Sequence, residues 1–121
     1  MERLTRAEEP VMHIIWSKQK VFVKDIIELM PEPKPPYNTI SSLVRILESK
    51  GLVGHEAYGK THMYYPKVSK NEYRRSIFSG MMSDYFDGSY ESLMSFIVSS
   101  KDLSADEAKK LKDIINKKNH E

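Results

Sequence analysis

No cysteine occurs anywhere in this 121-residue chain. That excludes disulfides, iron–sulfur clusters, thiolate nucleophiles and cysteine-ligated zinc or copper. No apolar run approaches the roughly 20 residues needed to span a bilayer. The first residues, MERLTRAEEP, carry charges where a signal peptide needs an apolar core, so the expectation is a cytoplasmic chain. A Gly-rich phosphate loop, HExxH and GxSxG are all missing, and no Ser–His–Asp grouping stands out. No enzyme chemistry and no cofactor are therefore expected. Internal repeats and low-complexity tracts are lacking too.

What is present fits a folded protein. Hydrophobic residues make up 40% and charged residues 30%, outside the composition of disordered chains. The length suits one ordinary domain or two small lobes. Net charge is only +2. Residues 1–70 hold 11 Lys/Arg against 8 Asp/Glu, an excess of three, and residues 71–121 hold 8 against 9. So weak a balance means that a basic patch must be argued from geometry.

Three capping boxes punctuate the chain: Thr5–Glu8, Ser69–Glu72 and Ser104–Glu107. Each pairs a hydroxyl cap with a carboxylate three residues on. Val11, Ile14, Ile15 and Trp16 then form an apolar stripe, predicting a first helix over about 6–18. Val21–Val23 reads as a short strand or turn before a second helix ending at Leu29. Pro31, Pro33, Pro35 and Pro36 close that helix and stiffen the connection. Ile40, Leu43, Val44 and Leu47 give helix three, about 38–50, with Gly51 as a left-handed C-cap. Two β-prone runs, Leu52–Tyr58 and Thr61–Tyr65, flank Gly59-Lys60 as a hairpin. The second half reads as helical. Tyr73, Ile77, Met81 and Tyr85 recur every four residues. A short apolar helix follows around Leu93–Val98, and Ala108, Leu111, Ile114 and Ile115 mark the last.

Helix three carries the functional question. Its polar face shows Asn38, Thr39, Ser41, Ser42 and Arg45, whereas a merely soluble helix spends that face on Glu, Lys, Gln and Ala. Helix, short helix, proline-rich turn, helix and two-stranded wing is the order of a winged helix-turn-helix. There the helix after the turn enters the major groove. Asn can read adenine, Ser and Thr several bases, Thr the thymine methyl, and Arg45 a guanine or a phosphate. Short side chains let the axis sit deep in a groove about 12 Å wide. The alternative is a solvated face with an extended N-cap. At the wing tip, Lys60, Thr61 and His62 are candidates for phosphate contacts, which position without reading sequence. A solvated hairpin turn is the competing account there.

The histidines offer little else. His55 and His62 fall near each other across the hairpin, but no carboxylate clearly joins them, so no metal site is read. His13 reads as a packing residue of helix one, and His120 lies in the tail. Trp16 and Met81-Met82 read as core or interface.

Four ordered motifs then resemble one family. LTRAEEPVMHIIW, NTISSLVRILESKGLV, HEAYGKTHMYYPKV and SLMSFIVSSKDLSADE are similar to the opening, recognition-helix, wing and C-terminal patterns of the penicillinase-repressor family, the BlaI/MecI type. The resemblance covers nearly the whole chain. It implies a mainly α fold with a small β-hairpin wing: a winged helix-turn-helix over 1–69 and a C-terminal helical dimerisation region over 70–121. It also implies a homodimer that binds a pseudo-palindromic DNA operator and represses β-lactam resistance genes or a related operon. A membrane sensor with a protease part would be a further partner. Its cut, between Asn and Phe in that family, falls here at Phe96-Ile97, with Ser95, Phe96 and Ile97 as the candidate region. No Asn-Phe pair exists in this sequence. A copper-responsive branch uses C-terminal cysteines, which this chain lacks.

The residues support a dimer independently. Three short helices cannot easily bury their own apolar stripes. Ile77, Met81, Leu93, Phe96, Ile97, Leu111 and Ile115 are the expected contacts with a second copy. The alternative function is a winged-helix protein-interaction module without DNA binding. Operator sequence, regulated genes and inducing signal are not readable from the chain.

Overall fold

The structure is a computed structural model that describes residues 1–100 and 103–119. His120, named above, and Lys101 and Asp102 of the fourth motif lie outside the described residues. The elements are α1 (Glu8–Lys18), α2 (Val23–Glu28), α3 (Tyr37–Ser49), β1 (Val53–Tyr58), β2 (Thr61–Pro66), α4 (Lys70–Phe86), α5 (Tyr90–Ser99) and α6 (Ala105–Asn119). The chain forms two compact units, Met1–Ile77 and Phe78–Glu121, with the boundary inside α4.

Local chemistry sets most helix ends of the first unit. Thr5 and Glu8 form the expected reciprocal box: Glu8 N donates to Thr5 Oγ1 at 3.2 Å, and Thr5 N donates to Glu8 Oε1 at 2.8 Å. Helix α1 begins two residues later than predicted, because Arg6 and Ala7 form the turn that carries this box. The N–H of Phe22 donates to Asp25 at 3.0 Å and starts α2. Lys34 caps its far end, donating to the carbonyls of Glu28 and Met30. Gly51, at φ +80°, ends α3. Leu52 N bonds Leu47 O and Gly51 N bonds Glu48 O, both at 3.0 Å, which is the Schellman pattern.

The sheet is small. Strands β1 and β2 pair antiparallel, from Val53↔Pro66 to Tyr58↔Thr61. Gly59, at φ +63°, opens the two-residue turn, as a II′ hairpin requires. Val21 adds one rung on the other side of β2: its N–H donates to Tyr64 O at 3.0 Å and its carbonyl accepts from Tyr64 N at 2.7 Å. The short extended reading at Val21 thus holds as a single bridge.

The core of this unit joins Val11, Met12 and Ile15 of α1, Ile26 of α2, Ile40, Val44 and Leu47 of α3, and Leu52 and Val53 at the hairpin base. Trp16 closes it from outside. Its Nε1–H donates to Val68 O at 2.8 Å, and its ring lies 5.5 Å from that of Tyr73. The Tyr73 hydroxyl accepts from Leu4 N at 2.8 Å. His13 is exposed rather than packed within the core; its ring meets the Trp16 edge at 5.5 Å.

One ion pair ties α1 to the end of α3. Glu8 is 2% exposed, and Lys50 Nζ donates to both its oxygens at 2.9 and 3.0 Å. Burial alone would push the Glu8 carboxyl up. Hydrogen bonds from Thr5 and Lys50 and the Lys50 charge outweigh it and hold the carboxyl below its ordinary value of 4.5. Because the folded value is depressed, Glu8 stabilises the fold above that ordinary value, and its contribution is lost as pH falls through the folded one. Glu8→Gln should therefore cost about 1–3 kcal/mol near neutral pH. The gap from wild type should narrow at a pH below 4.5. Urea melts at both pH values check this; a gap independent of pH contradicts it.

In the second unit, Ser89 caps α5 by accepting from Ser92 N at 3.1 Å, and Ser104 caps α6 by accepting from Glu107 N at 3.1 Å. Phe86 meets Phe96 edge-on at 5.7 Å, and Phe78 lies 6.3 Å from Tyr90. Among the described residues here, Met82 alone is buried. The four-residue stripe in α4 thus misses its buried position by one. Tyr85 is 80% exposed.

Candidate nucleic-acid interface

Helix α3 packs against α1 and α2, and this decides what its other sides present. Asn38, Thr39, Ser42 and Arg45 are all exposed. Tyr37 and Ile46 are exposed beside them; sequence reasoning passed over both, because it counted polar residues only. Ser41 departs from expectation. It is 8% exposed, and its hydroxyl accepts from Arg45 Nη2 at 2.9 Å. The reason is angular: Ser41 stands one helical step from Ile40 and close in phase to Val44, on the flank that turns toward the hairpin. Placing Ser41 on the outer polar face is therefore corrected, and its visible role is to hold Arg45.

A cleft of about 660 Å³ separates α3 from the hairpin. Tyr37, Ser41, Arg45 and Glu48, spaced along one flank of α3, form one wall; Lys60, Thr61 and His62 stand on the other side. The structure thus brings Arg45 and the three wing-tip candidates to one cavity, while Asn38, Thr39 and Ser42 lie on the adjoining outer surface. Lys24 of α2 adds a third cation to Arg45 and Lys60, against the single carboxylate of Glu48. Such a surface attracts phosphate, although net charge did not reveal it. Tyr64 forms part of the cleft. Burial and then the Glu48 charge raise its hydroxyl above the ordinary value of 10.0, with Arg45 opposing, so it remains a neutral donor.

Glu48 and the histidines meet here. His55 Nδ1 contacts Glu48 Oε2, and the His55 and His62 rings stack with centroids 4.2 Å apart and planes 10° apart. The stack was legible: the Gly59-Lys60 turn pairs Ala57 with His62 and His55 with Tyr64, placing both rings on one face. The carboxylate was not, because it arrives from another element. Among the described residues no group of three or more His, Asp or Glu is arranged to hold a metal ion.

The expected dimer contacts divide by exposure. Ile77, Leu93, Ile97 and Leu111 are half-buried, while Met81, Phe96 and Ile115 are exposed, Phe96 at 63%. Ser95, Phe96 and Ile97 lie within helical backbone of α5. No helix among the described residues is long and apolar enough to cross a membrane.

Comparison with known proteins points one way. A sequence model described as "Penicillinase repressor" matches residues 4–117. The methicillin resistance regulatory protein MecI of Staphylococcus aureus (strain N315) is 31% identical over 116 residues, spanning 95% of this chain and 94% of MecI. That of Mammaliicoccus sciuri is 32% identical over 117 residues, with the same coverage. Among solved structures, the DNA-binding domain of the repressor BlaI in solution aligns at a TM-score of 0.51 and 26% identity, covering 60% of this chain and 94% of that one.

Proposed function

Because this chain belongs to the penicillinase repressor family, we propose that it is a homodimeric transcriptional repressor rather than an enzyme. It binds a pseudo-palindromic operator and controls β-lactam resistance genes or a related operon in the cytoplasm. The observation that carries this reading is the exposed row Asn38, Thr39, Ser42 and Arg45 on α3, beside a cleft edged by Lys24 and Lys60. The row reads base edges in the major groove; Lys60 and Thr61 hold phosphates. Residues 1–69 read DNA and residues 70–121 join two copies, using the exposed Met81, Phe96 and Ile115. Two-fold symmetry of the dimer then matches two half-sites.

Asn38→Ala and Ser42→Ala should each cost about 1–3 kcal/mol in operator binding and relax preference at one or two base pairs. Lys60→Ala should weaken all sequences alike and lower the salt slope by about 1. Fluorescence anisotropy on randomised duplexes at several salt concentrations measures both. Unchanged base preference in both α3 variants would sink the assignment of this face.

Release from DNA follows from separating the C-terminal halves. Cleavage within Leu93–Val98 by a sensor protease would do so. It requires α5 to open locally, since those bonds are helical. Mass spectrometry of the protein from β-lactam-treated cells tests it: an intact chain with the target gene induced leaves only release without cutting. The second reading, a protein-interaction module, draws on the exposed Tyr37 and Ile46 of the same helix. Failure of the protein to enrich any duplex would favour it.

A further inference from the structure

Glu48 is the one carboxylate in a cleft that collects Lys24, Arg45 and Lys60. On electrostatic grounds alone it opposes DNA binding, because it repels the phosphates that those cations attract. Its geometry suggests a different use. Glu48 sits in the last turn of α3, and its Oε2 meets Nδ1 of His55 on β1. A carboxylate only accepts, so the proton lies on Nδ1. The His55 ring in turn lies flat against His62 of β2. His62 stands two residues from Lys60, on the strand that leads out of the turn. An unbroken path of three side chains thus links the end of the helix to the tip of the wing.

The hairpin base is already held, since Val21 exchanges two hydrogen bonds with Tyr64. Glu48 ties α3 to that same rung, since His55 pairs with Tyr64, and the stack on His62 carries the tie two residues toward the tip. Lys24 comes toward this path from α2, Tyr37 and Arg45 from α3, Lys60 from the turn and Tyr64 from β2. Glu56 alternates to the opposite face of β1. Without its tie, the tip would be free to tilt about its base, and Lys60 would lose a fixed distance from Arg45.

We infer that Glu48 is a positioning residue for DNA binding: through His55 and His62 it sets the wing against α3, so that Lys60 and Arg45 meet phosphates at a fixed spacing. This rests on the DNA-binding reading above.

The test contrasts two variants of the full chain that both delete the negative charge. Glu48→Gln keeps an acceptor for the His55 N–H; Glu48→Ala does not. The probe is a duplex enriched by the wild-type protein from a random DNA library, followed by anisotropy. Positioning predicts that Glu48→Ala binds about 3- to 10-fold more weakly than Glu48→Gln, within the coupling expected of neighbouring groups. It also predicts that Lys60→Ala costs less in the Glu48→Ala background than in wild type. His55→Phe should likewise bind more weakly than Glu48→Gln, because it breaks the same tie and leaves the repelling charge in place, and adding it to Glu48→Ala should cause no further loss. This third variant decides the matter if Glu48→Ala fails to fold. Equal affinity for the Gln and Ala variants, or a Lys60→Ala penalty unchanged by background, overturns the inference. If the wild-type protein enriches no duplex, the DNA-binding reading itself fails and takes this inference with it.

Discussion

A chain ending at Ile77 should fold, remain monomeric and bind a palindromic operator about 100-fold or more weakly than the full protein, because linked half-sites gain roughly 10²–10⁴ from effective concentration. The cut belongs after Ile77 and not after residue 69. Tyr73 packs on Trp16 and accepts from Leu4 N, so a shorter piece would damage the first unit as well as remove the rest. What is removed is a unit whose described residues bury only Met82 while exposing Phe96, Val98 and Ile114. Helices with so much uncovered apolar surface gain by pairing. Sedimentation velocity and anisotropy on the two lengths give the answer. A dimeric fragment, or equal affinity for the palindrome, would remove the case for dimerisation through the C-terminal unit.

Trp16→Ala should lower stability of the first unit by about 3–5 kcal/mol, as for other large aromatic truncations in cores. That is a large part of the 5–15 kcal/mol typical of whole domains. Trp16 joins three parts of the chain: α1 by its backbone, Val68 by its indole N–H and α4 through Tyr73. Trp16→Phe should cost less in total, since it keeps much of the packing. It still leaves the half-buried Val68 carbonyl without its donor, worth about 1–2 kcal/mol. Urea midpoints followed by circular dichroism order the three proteins. If Trp16→Ala moves stability by less than 1 kcal/mol, the lock assigned to this ring does not exist.

What could be read from the sequence was what neighbouring residues decide among themselves. Thr5 with Glu8, Gly51 after Leu47, and Gly59-Lys60 between two β-prone runs are each set within about five residues. They settle element ends and the hairpin register. Ile40, Val44 and Leu47 were correctly inward because one helical period is enough to name a core side. Ser41 went wrong for the complementary reason. A helix flanked by α1, α2 and a hairpin buries a wider arc than its apolar stripe, and a hydroxyl can enter that arc if it has a partner such as Arg45. Glu48 beside His55, and Lys24 in the same cleft as Lys60, depend on where separate elements meet. No local pattern encodes that. The exposed apolar residues of α5 and α6 showed their unusual number in the sequence, but the identity of what covers them is a property of assembly.

The Val21–Tyr64 bridge also has an entropic side. It closes a loop of 64 − 21 = 43 residues that contains α2, the proline segment, α3 and β1. For a flexible loop of that length, the length-dependent cost of closure is about 3 kcal/mol. The logarithm makes that cost insensitive to small changes. Five extra residues between α2 and α3 would add only about 0.1 kcal/mol. Length in the proline segment is therefore nearly neutral for closure, and the connection before α3 can be lengthened or shortened while the two hydrogen bonds at Val21 keep the ring shut.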